Sequence, residues 1–386
     1  MVDYLPEDLI IKILLRLPML YLVRFRCVCK SWCALLSDPK FIYKKLLCNG
    51  EHQNYDNSPH PVVVKRRDMS TRNYFFSVLS CETFEMSAPK EIPYPKDIME
   101  NMSDISIVGS SSNGFICLRD LYDPDIVLSR WRYSYETDCN VILWNPLTSE
   151  IKIIPQSNAS RPPNTVHSSL QLVEFGFDRK TNDYKILKMF LVYPNDLQGD
   201  YFVEIYSLRN ESWRTVDVVV PFMLSCFDDR CHYTGANGQF HWWTKGGGDQ
   251  HKIVSFDLSD EIFKTSPLPD AISTCFRFWT FFCLSEYVTM LLSSDCSFGV
   301  EFIDIWIMYE YGVKESWTKL FTISSLPCVE KPLGFWRNGE VFMATWSGQL
   351  LLWNPATETI TEFQIDGLPE SLQIVTLNGG PSCIEA

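Results

Sequence analysis

The sequence predicts an α+β chain of two unlike parts, a short N-terminal module of three helices followed by an all-β, propeller-like domain of about six blades. Three observations carry this. Apolar residues recur at helical spacing near the N-terminus. Beyond residue 60 the pattern changes to short apolar runs set off by Asn, Asp, Pro and Gly. One strand–turn–strand unit then recurs at a period near 50 residues, the mark of a repeat architecture.

Leu5, Leu9, Ile13 and Leu17 stand four residues apart, and Ile10 and Leu14 widen that face. Pro6 suits a first helical turn, Glu7 and Asp8 complement its positive end, and Pro18 stops the helix. A second apolar segment carries Leu20, Leu22, Val23 and Phe25, and a third carries Val28, Cys29, Trp32, Leu35 and Leu36. Asp38-Pro39 can open another short helix with Phe41, Ile42 and Leu46. Three short helices cannot bury this much apolar surface among themselves. Either a partner protein covers it or the rest of the chain does.

The repeat is clearest where Val141-Ile142-Leu143-Trp144-Asn145-Pro146-Leu147-Thr148 aligns with Leu350-Leu351-Leu352-Trp353-Asn354-Pro355-Ala356-Thr357. Looser copies start at Val203, Ile253 and Ile303, with a weaker one at Ser77. Their centres at 79, 144, 206, 256, 306 and 353 are separated by 65, 62, 50, 50 and 47 residues. Pro presets φ in these turns and Asn or Asp bonds back to its own backbone. Asn-Gly pairs at Asn113-Gly114, Asn237-Gly238 and Asn338-Gly339 mark further hairpins. The expected boundaries are 1–48 for the helical module, 49–72 for a polar connector, 73–370 for the β domain and 371–386 for a tail. A large β-sandwich is the alternative architecture.

With 47 acidic against 34 basic residues the net charge is −13. That opposes nucleic-acid binding, which needs a basic face, and favours a basic protein partner by steering. The 14 cysteines lie in apolar runs without disulfide spacing, the N-terminus has no basic leader region, and no apolar run is long enough to cross a bilayer. These features predict a cytoplasmic protein, the nucleus being open to it as well, with no membrane partner.

In the helical module Leu5-Pro6-Glu7-Asp8-Leu9 is followed by Ile13-Leu14, Leu17-Pro18, Arg24-Phe25-Arg26-Cys27-Val28-Cys29-Lys30-Ser31-Trp32 and Asp38-Pro39-Lys40-Phe41. This series resembles the F-box motif. The resemblance implies a Skp-type adaptor as partner and, through it, the cullin of an SCF ubiquitin ligase. It also implies that Leu5, Pro6, Leu9, Ile13, Leu17, Pro18, Leu22, Phe25, Cys29 and Trp32 form or support the adaptor-binding surface. One departure is Leu20-Tyr21 where relatives carry Lys-Ser; a lost N-cap there costs about 1 kcal/mol.

The β domain carries Gly109-Ser110-Ser111-Ser112-Asn113-Gly114, Phe175-Gly176-Phe177-Asp178, Glu204-Ile205-Tyr206-Ser207-Leu208 with Ser212-Trp213, and Ser316-Trp317-Thr318-Lys319-Leu320. With these it is similar to the F-box-associated domain of plant F-box proteins. With Leu79-Ser80-Cys81-Glu82-Thr83-Phe84-Glu85, the chain looks most like the S-locus F-box and S-haplotype-specific F-box proteins. The resemblance implies a substrate-recognition subunit without catalytic residues or cofactors, whose target is a basic ribonuclease in self-incompatibility. An adaptor for another plant target, such as a regulator of immunity or growth, is the alternative, and a propeller enzyme or lectin is a further one.

Other clusters point to packing. Gly246-Gly247-Gly248 lacks the Lys-Ser/Thr of a phosphate loop, and Cys226, Cys231, His232 and His241 do not have a zinc-ligand spacing. Asp228-Asp229 reads as a solvated loop, and Cys27-Val28-Cys29 as helix packing. No metal site and no substrate-binding residues are assigned.

Overall fold

A computed structural model describes residues 6–17, 22, 25, 28–36, 38, 41, 61–71, 73–79, 90–92, 105–111, 114–120, 138–159, 162, 165–194, 199–220, 238–245, 251–269, 272, 276–284, 287–294, 302–324, 328–336 and 339–377. Two helices lie among them, α1 (Glu7–Leu14) and α2 (Lys30–Leu36). The expected bundle of three is therefore not visible. The middle segment is described only at Leu22 and Phe25, and the segment after Asp38 only at Phe41.

The described strands form six sheets, built of strands consecutive in the chain except where the last strand joins the first sheet, with short 3-10 turns at Lys314–Ser316 and Pro369–Ser371. The first sheet runs β1 (Val62–Arg67), β2 (Tyr74–Leu79) and β3 (Lys90–Ile92), and β23 (Gln373–Thr376) pairs on the free side of β1. Val62 faces Thr376 and Lys65 faces Gln373 across that seam, so one sheet joins both ends of the β domain. Strands β1 and β23 fall in the segments expected to be connector and tail. The apolar run Val62-Val63-Val64 is fully buried, which explains why it was drawn into a sheet.

The second sheet is β4 (Ile105–Ser110), β5 (Ile116–Asp120), β6 (Val141–Trp144) and β7 (Ile151–Ile154). The third is β8 (Thr165–Asp178), β9 (Asp183–Pro194), β10 (Asp200–Ser207) and β11 (Ser212–Val216). The fourth has three described strands, β12 (Gln239–Lys245), β13 (His251–Asp257) and β14 (Ile262–Pro267). The fifth is β15 (Phe276–Leu284), β16 (Tyr287–Ser294), β17 (Phe302–Met308) and β18 (Trp317–Ser324). The sixth is β19 (Val329–Phe335), β20 (Val341–Thr345), β21 (Gln349–Asn354) and β22 (Thr359–Asp366).

The repeat centres occupy one structural place. Leu79, Trp144, Tyr206, Phe256, Trp306 and Trp353 all lie on the strand next to the outermost one of their sheet. The following turn is built alike in four sheets. Asn145 Oδ1 accepts from the Leu147 and Thr148 N–H groups, and Asn354 Oδ1 accepts from those of Ala356 and Thr357. Asp257 Oδ1 does the same for Ser259 and Asp260, while Ser207 Oγ accepts from the Asn210 N–H. A left-handed residue closes each turn: Ser149, Glu211, Glu261 and Glu358, at φ 50 to 62°. The Asn-Gly glycines Gly114, Gly238 and Gly339 also have positive φ.

The chain divides into two compact units. One comprises residues 1–58, 266–346 and 350–363; the other comprises 59–265, 347–349 and 364–386. In the second unit apolar clusters fill the space between consecutive sheets. Phe76 and Trp144 meet edge to face at 4.9 Å between the first and second, Leu143 and Phe175 join the second and third, and Leu172 and Phe256 join the third and fourth. In the first unit one cluster holds Ile303, Ile305 and Ile307 of the fifth sheet, Val341 and Met343 of the sixth, and Leu14, Leu22, Leu36 and Phe41 from the helical segment.

Candidate functional site

Helix α1 begins after Pro6, whose carbonyl accepts from the Leu9 and Ile10 N–H groups at 2.9 and 3.1 Å. Its end tightens into i→i+3 bonds, with the Leu17 N–H donating to Leu14 O at 3.1 Å, before Pro18. With about 100° between successive residues, 9 and 13 fall on one side and 10, 14 and 17 on another. The structure follows that division. Leu9 and Ile13 are 44% and 47% exposed, Lys12 and Arg16 stand exposed beside them, and Leu14 is buried. Ile10, Ile11, Leu15 and Leu17 pack against the buried cluster.

Helix α2 is capped by sulfur. Cys29 is exposed, its carbonyl accepts from the Cys33 N–H, and its Sγ accepts from the Trp32 N–H at 3.4 Å and lies 3.1 Å from Ser31 Oγ. The Ser31 hydroxyl, and then the Trp32 N–H, lower the Cys29 thiol pKa. Cys29 was expected to pack; it caps instead, because it sits one residue before the helix, where the first N–H groups lack partners. Sequence reasoning missed this, although the spacing Cys29-x-x-Trp32 matches an N-cap and its N3 position.

Of the ten residues implied as adaptor-binding, Pro6, Leu9, Ile13 and Cys29 are exposed and Leu17, Phe25 and Trp32 half-buried. Leu22 is buried, and Leu5 and Pro18 lie outside the described residues. Phe25 and Trp32 touch with ring centroids 5.6 Å apart, tying the middle segment to α2. Val28, beside Cys29, is 61% exposed. Leu9, Ile13 and Val28 are thus open apolar groups on the helical segment. Covering a half-exposed Leu or Ile stabilises a complex by roughly 1 kcal/mol.

The described open groups of this surface include the apolar Leu9, Ile13 and Val28, the charged Lys12 and Arg16 and the capping thiol of Cys29. Of the imagined zinc set, Cys226, Cys231 and His232 lie outside the described residues, as do Asp228-Asp229 and Gly246-Gly247-Gly248. His241 is buried in β12, where burial pushes its pKa down to about 3. No group of three His, Cys, Asp or Glu among the described residues could hold a metal ion. Among them, too, no helix is long and apolar enough to cross a membrane.

Two family models match the chain: the F-box domain over residues 3–44, and the F-box associated beta propeller domain over residues 132–354. The chain is 27% identical to F-box protein At3g07870 of Arabidopsis thaliana, with 98% of this chain and 91% of that protein covered. It is 26% identical to the Arabidopsis F-box/kelch-repeat protein At3g23880, covering 91% and 87%. It is 24% identical to the Arabidopsis F-box protein CPR1, covering 90% and 81%. The helical segment and the sheets together match these relatives over most of their length, and the chain belongs to the F-box proteins that carry the F-box associated beta propeller domain.

Proposed function

We propose that the protein is the substrate-receptor subunit of an SCF-type ubiquitin ligase. The F-box docks a Skp-type adaptor, which links it to the cullin, and the β domain holds a target protein near the ubiquitin-charged enzyme. The chemistry belongs to the other subunits; this chain contributes proximity. The observation that carries the reading is the exposed pair Leu9 and Ile13 on a helix whose other apolar residues are covered. Mixed with recombinant Skp-type adaptor, the protein forms a stable complex on gel filtration. The double change Leu9→Asp with Ile13→Asp abolishes that complex and leaves the melting temperature within about 2 °C, because neither side chain is in the core. Full binding by the double variant would sink the assignment.

The six meanders support a six-bladed propeller. Three of them present a largely exposed outermost strand, β7, β11 and β22. The β1–β23 seam puts the first and last described strands of the β domain in one sheet, as a propeller whose ends meet in one blade requires. The protein works in the cytoplasm, with the nucleus also open to it.

The finer reading is an S-locus F-box protein whose target is a basic ribonuclease. Support comes from the phrase around Leu79-Ser80-Cys81-Glu82-Thr83-Phe84-Glu85, largely outside the described residues, and from the net charge of −13, which attracts a basic target. A pull-down with pistil ribonucleases tests it, and capture of an acidic leaf protein in their place returns the assignment to the wider family.

A further inference from the structure

The helical segment divides its apolar surface between two uses. Leu9, Ile13 and Val28 are left exposed. Leu14, Leu22, Leu36 and Phe41 are buried, at 1 to 4% exposure, in one cluster with Leu291, Ile305 and Leu320 of the fifth sheet and Met343 and Trp353 of the sixth. Residues 1–58, the fifth sheet and most of the sixth fall in the same compact unit. Helix α1 has 8 residues and α2 has 7. Helices shorter than about 12 residues are marginal in water unless tertiary packing holds them. A module of about 45 residues cannot bury enough surface to be stable alone without staples or partners.

We infer that the F-box of this chain is not a self-standing module: the fifth and sixth sheets complete its core. Those sheets lie at residues 276–366, so the N-terminal helices wait for the C-terminal part of the chain before they are packed. The seat also selects which side of α1 stays open. With Leu14 held down, Leu9 and Ile13 can only face outward. Under the proposed function, which this last consequence presupposes, an adaptor on that face is held at a fixed orientation to these two sheets. The inference about folding does not depend on that reading.

Hydrogen exchange on the full-length protein without adaptor tests it. Leu320 is buried in β18 within the shared cluster. Leu320→Ala accelerates exchange of the α1 and α2 amides by about tenfold. Ile142→Ala, an equally buried change in β6 of the other unit, leaves the helices within about twofold. Phe321→Ala, at a half-buried position packed on the same cluster, gives a smaller acceleration and serves if Leu320→Ala does not fold. Unchanged helix exchange in both fifth-sheet variants, while β17 and β18 amides speed up, overturns the inference. So does equal acceleration by Ile142→Ala. A chain that keeps this coupling but never binds adaptor retains the inference and loses the functional proposal.

Discussion

His241 shows what burial does to one residue. In water a histidine titrates near 6.5; burial in β12 lowers this to about 3. Between those values the unfolded chain takes up a proton that the fold refuses. Stability is therefore complete above about pH 6.5 and declines as pH falls through that window, by up to about 1.4 kcal/mol per pH unit. In denaturation curves from pH 7 to 4, His241→Gln should show a slope shallower by that amount.

Backbone limits act at the same scale. A Cβ on Gly238, at φ +71°, would stand 2.6 Å from Phe177 O, and one on Gly348 would stand 1.6 Å from Gly367 O. Gly238→Ala should destabilise by about 2 kcal/mol or more, and Gly348→Ala by more than that, read from denaturation midpoints. Glu358 carries the opposite mismatch, an exposed side chain at φ 56°. Glu358→Gly should raise stability by about 0.5 kcal/mol, since relief of the left-handed strain exceeds the added flexibility of the unfolded chain.

Between elements, recurring turn chemistry links one sheet to the next. Lys152 of β7 pairs with Glu211 in the β10–β11 turn, and Arg214 of β11 pairs with Glu261 in the β13–β14 turn. Both glutamates are the left-handed residues of their turns, so a strained position doubles as a contact with the preceding sheet. The buried version is Asp178, at the end of β8. It accepts from Lys185 Nζ at 2.6 Å, from Thr181 Oγ1 at 2.6 Å and from Ser259 Oγ of the β13–β14 turn at 2.5 Å. Burial by itself would raise its pKa, but the hydrogen bonds from Lys185, Ser259, Thr181 and the Lys180 N–H outweigh it and hold the carboxyl well below the usual range.

A depressed carboxylate contributes stability that is present above the unfolded value near 3.9 and is lost as pH falls through the folded one. Asp178→Asn, which leaves Lys185 only the longer ion pair to Glu261 at 3.6 Å, should cost about 2 kcal/mol at pH 7. The gap to the parent protein should narrow below about pH 4, as urea titrations at pH 7, 5 and 3.5 would show.

At the scale of the whole molecule, the first sheet depends on the last strand. Strand β1 is paired on both sides, by β2 and by β23. Ending the chain at residue 370 removes β23 and Leu377, which is fully buried in the cluster with Val63 and Trp144. The truncated protein should lose its cooperative melting transition or melt at least about 10 °C lower. Unchanged melting would show that the seam is not a structural closure.

Periodicity made much of this legible in advance. Helical spacing located α1 and α2, and the recurring apolar centre, followed by Asn or Asp in three of its six copies, located equivalent strands in six sheets. These features are local, because a few consecutive residues decide whether a strand alternates or a turn closes. The place of Val62-Val63-Val64, read as part of a connector, was only partly local: β2 pairs with it from nearby, but its other partner strand, β23, lies more than 300 residues along the chain, and nothing within the run names it. Nor could spacing choose between the two ways of covering the helices. Leu9, Ile13 and Leu17 look alike in sequence, yet Leu17 packs on the core while Leu9 and Ile13 stay open. The sequence by itself determined which segments curl, which extend and where they turn, through dihedral preference and hydrophobic period. Only the tertiary structure decided which apolar faces meet, because burial depends on neighbours brought together from distant parts of the chain.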